Sequence, residues 1–250
     1  MSVFEGLASE AIEQCLNNLL SAKDLLNERK GPTDAQLFLI QHLLALKEQV
    51  APFEATFTET QITLDFTTMR SELRRVLSGG IAQLFTPNAF TPQVSTSTVD
   101  SLQRVGRALT SAVEAFVVAA TKTLVGDLVS FLVRVTSFEK VNEKEEGKEG
   151  KDEKKGELKD QNWASVECFR KVGKDTVDLI SEKVPRMVCE IGVYLQNRNQ
   201  LELVFGPIRD AVLDSWEQFL LVVNRTYPEN SAEFMSLPEL QKILDEPVEI

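Results

Sequence analysis

The stretch LFLIQHLLALKEQVAPFEATFTETQITLDFTTMR, residues Leu37–Arg70, decides the reading of this chain. In its first half Leu37, Leu39, Ile40, Leu43, Leu44 and Leu46 cover nearly every direction of a helical wheel. Only Gln41, His42, Glu48 and Gln49 leave a narrow polar stripe. A helix apolar on almost all sides is buried by its neighbours rather than laid on a surface, so the other helices are expected to pack around this one. Ala51-Pro52 ends or bends it, because proline lacks the backbone donor and disfavours the α conformation just before it.

Working outward, Phe4–Arg29 repeats Leu7, Ala11, Cys15, Leu19 and Ala22 near the helical period and reads as a first helix with that face inward. Gly31-Pro32 stops it, Thr33 or Asp34 caps the central helix, and so short a turn implies an antiparallel pair. Downstream, Phe53–Phe66 alternates loosely. A strand fits that period, but with no partner strand in sight an extended connection fits better. Asp65 is expected to cap a helix to Leu77, ended by Ser78-Gly79-Gly80. A short irregular helix over Ile81–Phe90 and a Ser/Thr-rich connector over Thr91–Thr98 follow.

Val99–Phe138 is the longest periodic run, stepping by three or four from Leu102 to Phe138, with Val113, Val117, Val125, Val129 and Leu132 flanking the main stripe. Forty helical residues span roughly 60 Å, which implies an elongated bundle. Gly126 inside it marks either a bend or a close helix contact. Glu139–Asp160 holds nine acids and seven lysines with almost no apolar residue, and is expected to be a disordered loop. Helix resumes over Trp163–Asn197, where Pro185 should kink or split it, and again over Gln200–Tyr227, where Gly206-Pro207 interrupts the start. Ser236, Pro238 and Glu239 form a capping-box pattern for a last short helix. The fold class is therefore all-α. Residues 1–138 are expected to form an amino-terminal half and 139–161 a disordered charged linker, with 162–250 a carboxy-terminal half packed on the first.

Composition narrows the function. A net charge of −11 argues against nucleic acid and against broad adhesion to anionic lipid. Cys15, Cys168 and Cys189 are odd in number and lack metal-ligand spacing, so they read as buried thiols of a reducing cytosol. MSVFEGLASEAIEQ carries acids where a signal peptide is basic, and Glu114, Lys122, Asp127 and Arg134 break the most apolar window, Ala112–Val135. A soluble chain is expected. His42, the single histidine, has no second histidine to share a metal and reads as a packing or hydrogen-bonding residue. Gly79-Gly80 lacks the lysine of a phosphate cradle, and no Gly-x-Ser-x-Gly, His-Glu-x-x-His or dinucleotide fingerprint is present. No catalytic, cofactor or metal residue can be named, and no cofactor is expected. Two classes remain: a scaffold acting through helical surfaces, and a lipid-binding or hydrolase module with a cryptic pocket. An apolar cavity large enough for a lipid would favour the second.

LFLIQHLLALKEQVAPFE followed by LDF, YLQN at Tyr194–Asn197, FGPIR at Phe205–Arg209, and YPEN…MSLPELQKIL together resemble the carboxy-terminal region of the third subunit of the conserved oligomeric Golgi complex, most like plant or algal versions. The resemblance runs from about Leu37 to Leu244. It implies the helical rods of multisubunit tethers and a non-enzymatic role in intra-Golgi retrograde transport. It further implies a peripheral location on the cytoplasmic face of the Golgi and in the cytosol. Other subunits of the complex, SNAREs and Rab GTPases are the implied partners, with membrane met only through them. The family's amino-terminal part has no counterpart in this sequence. The residues that bind each partner are not legible.

Overall fold

The computed structural model describes residues 3–54, 98–146 and 158–246. Among these there are six α-helices and no strand: α1 (Val3–Lys30), α2 (Pro32–Glu54), α3 (Thr98–Glu146), α4 (Val166–Tyr194), α5 (Arg198–Thr226) and α6 (Leu237–Asp245). Short 3₁₀ turns at Leu158–Asp160, Asn162–Ala164 and Pro228–Glu233 complete the described chain. The all-α expectation holds. The calls on 55–97, including the strand-or-connection over Phe53–Phe66 and the helix to Leu77, fall almost wholly outside the described residues.

The chain divides into two units. The first takes in α1, α2, α3 as far as Ala119, and Glu190–Val204. A single glycine serves both ends of its hairpin. Gly31 sits at φ +99°, where residues with a side chain are strained, and its N–H closes α1 on the Asn27 carbonyl at 3.1 Å. Its own carbonyl accepts the first bond of α2, from Ala35 N–H at 3.3 Å. Gly31 is thus the cap of α2, in place of the expected Thr33 or Asp34, and Pro32 occupies the first helical position, where its missing N–H costs nothing. Asp34 still works in that first turn, where it accepts the Tyr194 hydroxyl at 2.6 Å. That bond, ahead of burial, pushes the Tyr194 pKa up to about 12.

Ala35, Leu37, Leu39, Ile40 and Leu43 of α2 are buried, and together they cover more than half of the helix circumference. Leu44 and Leu46, expected inside, are half-buried. The polar stripe of Gln41, His42, Glu48 and Gln49 lies on the open side. α2 runs through Ala51-Pro52 to Glu54 without ending there. Val105, Leu109, Ala112, Val113, Phe116 and Val117 of α3, with Ile191, Leu195 and Val204, complete the core of this unit.

The second unit takes in Ala120–Cys189 and the residues from Phe205 onward. Its centre is aromatic. The Phe131 and Phe169 rings meet edge-on at 4.8 Å, and Phe169 lies 5.8 Å from Phe219. Phe219 in turn lies 5.1 Å from Trp216 and 5.5 Å from Phe234. Edge and tilted pairings of this kind contribute about 0.5–1.5 kcal/mol each beyond area burial. Gly173 makes room for the cluster, since a Cβ there would meet Phe234 Cδ1 at 3.1 Å and Phe219 Cε1 at 3.3 Å. Trp216 Nε1–H donates to the Met235 carbonyl at 3.0 Å, and the Tyr227 hydroxyl donates to the Ala164 carbonyl at 2.8 Å.

Three expectations about helix breaks need correction. α3 departs from helical geometry at Val125 (φ −128°, ψ 15°), beside Gly126. A Cβ on Gly126 would meet only Lys122 Cγ at 3.5 Å, so the glycine marks a kink and not a close helix contact. The Ser130 hydroxyl donates to the Gly126 carbonyl at 2.8 Å, a back-bond that accompanies such bends. α4 is unbroken through Pro185, and α5 begins at Arg198 and is unbroken through Pro207. Val204, Phe205 and Ile208 around that second proline are all fully buried, and packing overrides the local cost.

The start of the charged run also differs. α3 continues eight residues into it, to Glu146, where a loop was expected. Glu139 forms an ion pair with Arg225 of α5. Around the run the chain is held closely: Phe138 and Trp163 meet at 6.1 Å, and the Arg134 guanidinium lies 4.3 Å from the Trp163 ring centre.

Candidate interaction surface

No group of three or more His, Cys, Asp or Glu side chains that could hold a metal occurs among the described residues. His42 is exposed on α2. Its Nδ1–H donates to the Phe38 carbonyl one turn back at 2.8 Å, and its ring lies 4.2 Å from that of Phe38. This is the packing and hydrogen-bonding role expected of it. The thiols are less buried than expected: Cys15 and Cys168 are half-buried and Cys189 is exposed.

α3 is long and apolar enough, over Gln103–Glu139, to cross a membrane by length and composition, so its four charges exclude less than the sequence reading held. Its apolar residues are nonetheless taken up by protein. Val113 and Val117 are buried in the first unit, and Leu124, Leu128, Leu132 and Val135 in the second. This is a core helix by its packing.

Chemistry of the surface is therefore a matter of helix faces. α4 and α5 are anchored by ion pairs typical of a solvated exterior. Arg170 reaches Glu233 with two bonds, Nε at 2.5 Å and Nη2 at 2.8 Å, and Asn230 Nδ2 adds a third at 2.8 Å. The Arg170 bond first, then Asn230, holds the Glu233 carboxyl down at about 2 from an ordinary 4.5. Arg209 meets Asp245 at 3.2 Å. The exposed row of α4 around these contacts mixes Glu167, Lys171, Lys174, Asp175 and Asp178.

α1 is different. Of its 28 residues only Leu16 is buried. The helix packs on α2, and it meets α3 through an Arg104–Glu13 ion pair and a Ser9–Ser101 hydroxyl bond at 3.2 Å. The face expected to be inward, from Leu7 through Ala11 to Ala22, is rotated away from the core. Leu7 and Ala11 are exposed, and Cys15, Leu19 and Ala22 only half-buried. Steps of four advance 40° more than one turn, so a stripe of that spacing winds from solvent toward contact along the helix. Leu7 is 62% exposed and Leu25 59%, uncovered to a degree unusual for leucines on a helix that already has an inner face. Sequence periodicity could not reveal this, because α1 carries enough apolar residues for two faces and nothing local says which one the rest of the chain covers.

Two family models match the chain. "Conserved oligomeric Golgi complex subunit 3, C-terminal" covers residues 1–69, and "COG3 C-terminal cap domain" covers residues 108–247. The chain belongs to this family. The match begins at residue 1, so α1 is part of it, although the resemblance read from sequence starts only near Leu37. Curated relatives named conserved oligomeric Golgi complex subunit 3 include one from Homo sapiens, 28% identical over 97% of this chain and 30% of its own length. One from Dictyostelium discoideum is 28% identical over 97% of this chain and 27% of its own length. One from Drosophila melanogaster is 29% identical over 96% and 28% respectively. The chain thus spans less than a third of the length of these relatives. No solved structure matches it.

Proposed function

We propose that the chain acts as a non-enzymatic part of a vesicle tether of the Golgi, in intra-Golgi retrograde transport. It would work through helix faces that bind other subunits of the oligomeric Golgi complex and the trafficking machinery, SNAREs and Rab GTPases among it. It would sit peripherally on the cytoplasmic face of the Golgi membrane and in the cytosol, and reach the membrane only through partners. The observation that carries this reading is the family match across both of its models, which takes in every helix of the chain. The surface supports it in kind. The only histidine is exposed and bonded to its own helix, while α1 offers a long helical face with little cover. No observation favours a pocketed hydrolase or lipid carrier. A pull-down from cytosol with this chain as bait tests the reading. Recovery of the other Golgi tether subunits is expected; recovery of none of them, from an extract where they are abundant and assembled, would refute it.

A further inference from the structure

The outer face of α1 has a register. Leu7, Ala11, Gln14, Asn18, Ser21 and Leu25 are all exposed, none is charged, and their spacing alternates four and three. That alternation is the seam by which one helix packs along another at a shallow angle. The row spans roughly 27 Å at 1.5 Å per residue. Glu10, Asn17 and Asp24, seven apart and also exposed, run along one side of it, and Glu28 extends that row. The only exposed basic residues on the helix, Arg29 and Lys30, lie beyond the end of the seam. Solvated helix faces ordinarily mix both signs of charge, as α4 does, so this one departs from a surface built only for water.

We propose that this seam receives one helix of another tether subunit, a helix with apolar residues spaced four and three and with Lys or Arg along the edge that faces Glu10 and Asp24. The proposal rests on the tether reading above. Leucines at both ends would supply the apolar anchors. Gln14, Asn18 and Ser21 between them would fix register at some cost in strength, as polar seam residues do. An anionic membrane is a poor occupant, because the acids repel it and the polar middle of the seam does not enter hydrocarbon. A second copy of α1 fits no better. Antiparallel, the acid row meets itself; parallel, it faces the half-buried Ala8, Cys15 and Ala22 and finds no cation.

The test is assembly of the full chain with the other subunits, co-expressed and purified, in three forms: unaltered, Leu7→Ser with Leu25→Ser, and Glu10→Lys with Asp24→Lys. The altered positions are exposed, so melting temperatures should match the unaltered chain. The unaltered chain is expected to assemble, and each double variant to bind at least about tenfold more weakly. The charge-reversal effect should grow at low salt. Lys171→Glu with Lys174→Glu on α4 should assemble normally. Assembly of both α1 variants at unaltered strength overturns this proposal and leaves the tether reading standing. Failure of the unaltered chain to assemble overturns both. Self-association of the chain that the α1 variants abolish would give the seam to a second copy, and would also overturn it.

Discussion

Glu233 shows how a single exposed side chain can report on the fold. Its carboxylate is held by both nitrogens of the Arg170 fork and by Asn230, and its pKa falls to about 2 as a result. A depressed carboxylate contributes stability above its unfolded value, and that contribution is lost as pH falls from 4.5 toward 2. Carbon-detected NMR titration should therefore place the Glu233 midpoint near 2, and Arg170→Gln should return it to the ordinary carboxylate range. A wild-type midpoint in that ordinary range would mean the fork does not form in solution. The two glycines of α4 make a second local test. Gly192→Ala, with nothing within 4 Å of the new Cβ, should raise stability by up to about 1 kcal/mol through helix propensity. Gly173→Ala gains the same propensity but pushes against Phe234 and Phe219, and overpacking of that kind costs about 1–3 kcal/mol. Chemical denaturation should show opposite signs. The capping box at Ser236 was legible in sequence because both partners lie within four residues, and the Ser236 N–H and hydroxyl do donate to Glu239 at 2.9 and 2.8 Å. The seat at Gly173 was not legible, since the rings that fill it arrive from α5 and from the turn after it.

Helices were read correctly wherever the apolar period was long, and misread where a local breaker met a packed surrounding. α3 and α5 show both outcomes. Their stripes are buried as expected, yet Pro207 does not interrupt α5, because the residues beside it are locked in the core. Pro185 offers the cleaner measurement. It is exposed within α4, so replacing it by alanine removes no packing, while it restores a backbone donor and relieves the ring's clash with the preceding turn. Pro185→Ala should stabilise the chain by roughly 1–3 kcal/mol in urea unfolding, with unchanged helix content by circular dichroism. Destabilisation there would mean that the proline shapes α4 in a way its helical geometry does not disclose. For α1 the periodicity gave the helix but not its orientation. Buried face and exposed seam are both apolar enough to serve as a core, and only Leu16, Glu13 and Ser9 in contact tell them apart.

Each unit draws on chain from both sides of the charged run, and this bears on how the molecule behaves when cut. In the first unit Tyr194 bonds Asp34, and Gln200 bonds Glu48 at 3.3 Å; in the second, Phe131 packs on Phe169 and Glu139 pairs with Arg225. We propose that a protease cutting after lysine cleaves first between Glu139 and Asp160, and that residues 1–138 and 162–250 stay together afterwards. Buried residues such as Phe169 and Trp216 contribute about 1.5–3 kcal/mol each to holding them. Separate elution of the two fragments on native size exclusion would contradict that arrangement. The candidate surface was the least legible feature of all, since exposure depends on which faces the remote parts of the chain choose to cover. The family was legible from short strings such as FGPIR and SLPELQKIL, and the two family models then extended it to residue 1. The central claim is that this chain works as a bound subunit and not alone. Fractionation of a native cell extract by size, with detection of this chain and of the other Golgi tether subunits in each fraction, tests it most directly. The account predicts that the chain peaks with those subunits, far above the size of a 28.0 kDa monomer. A peak at monomer size, with the other subunits assembled elsewhere in the same gradient, would contradict it.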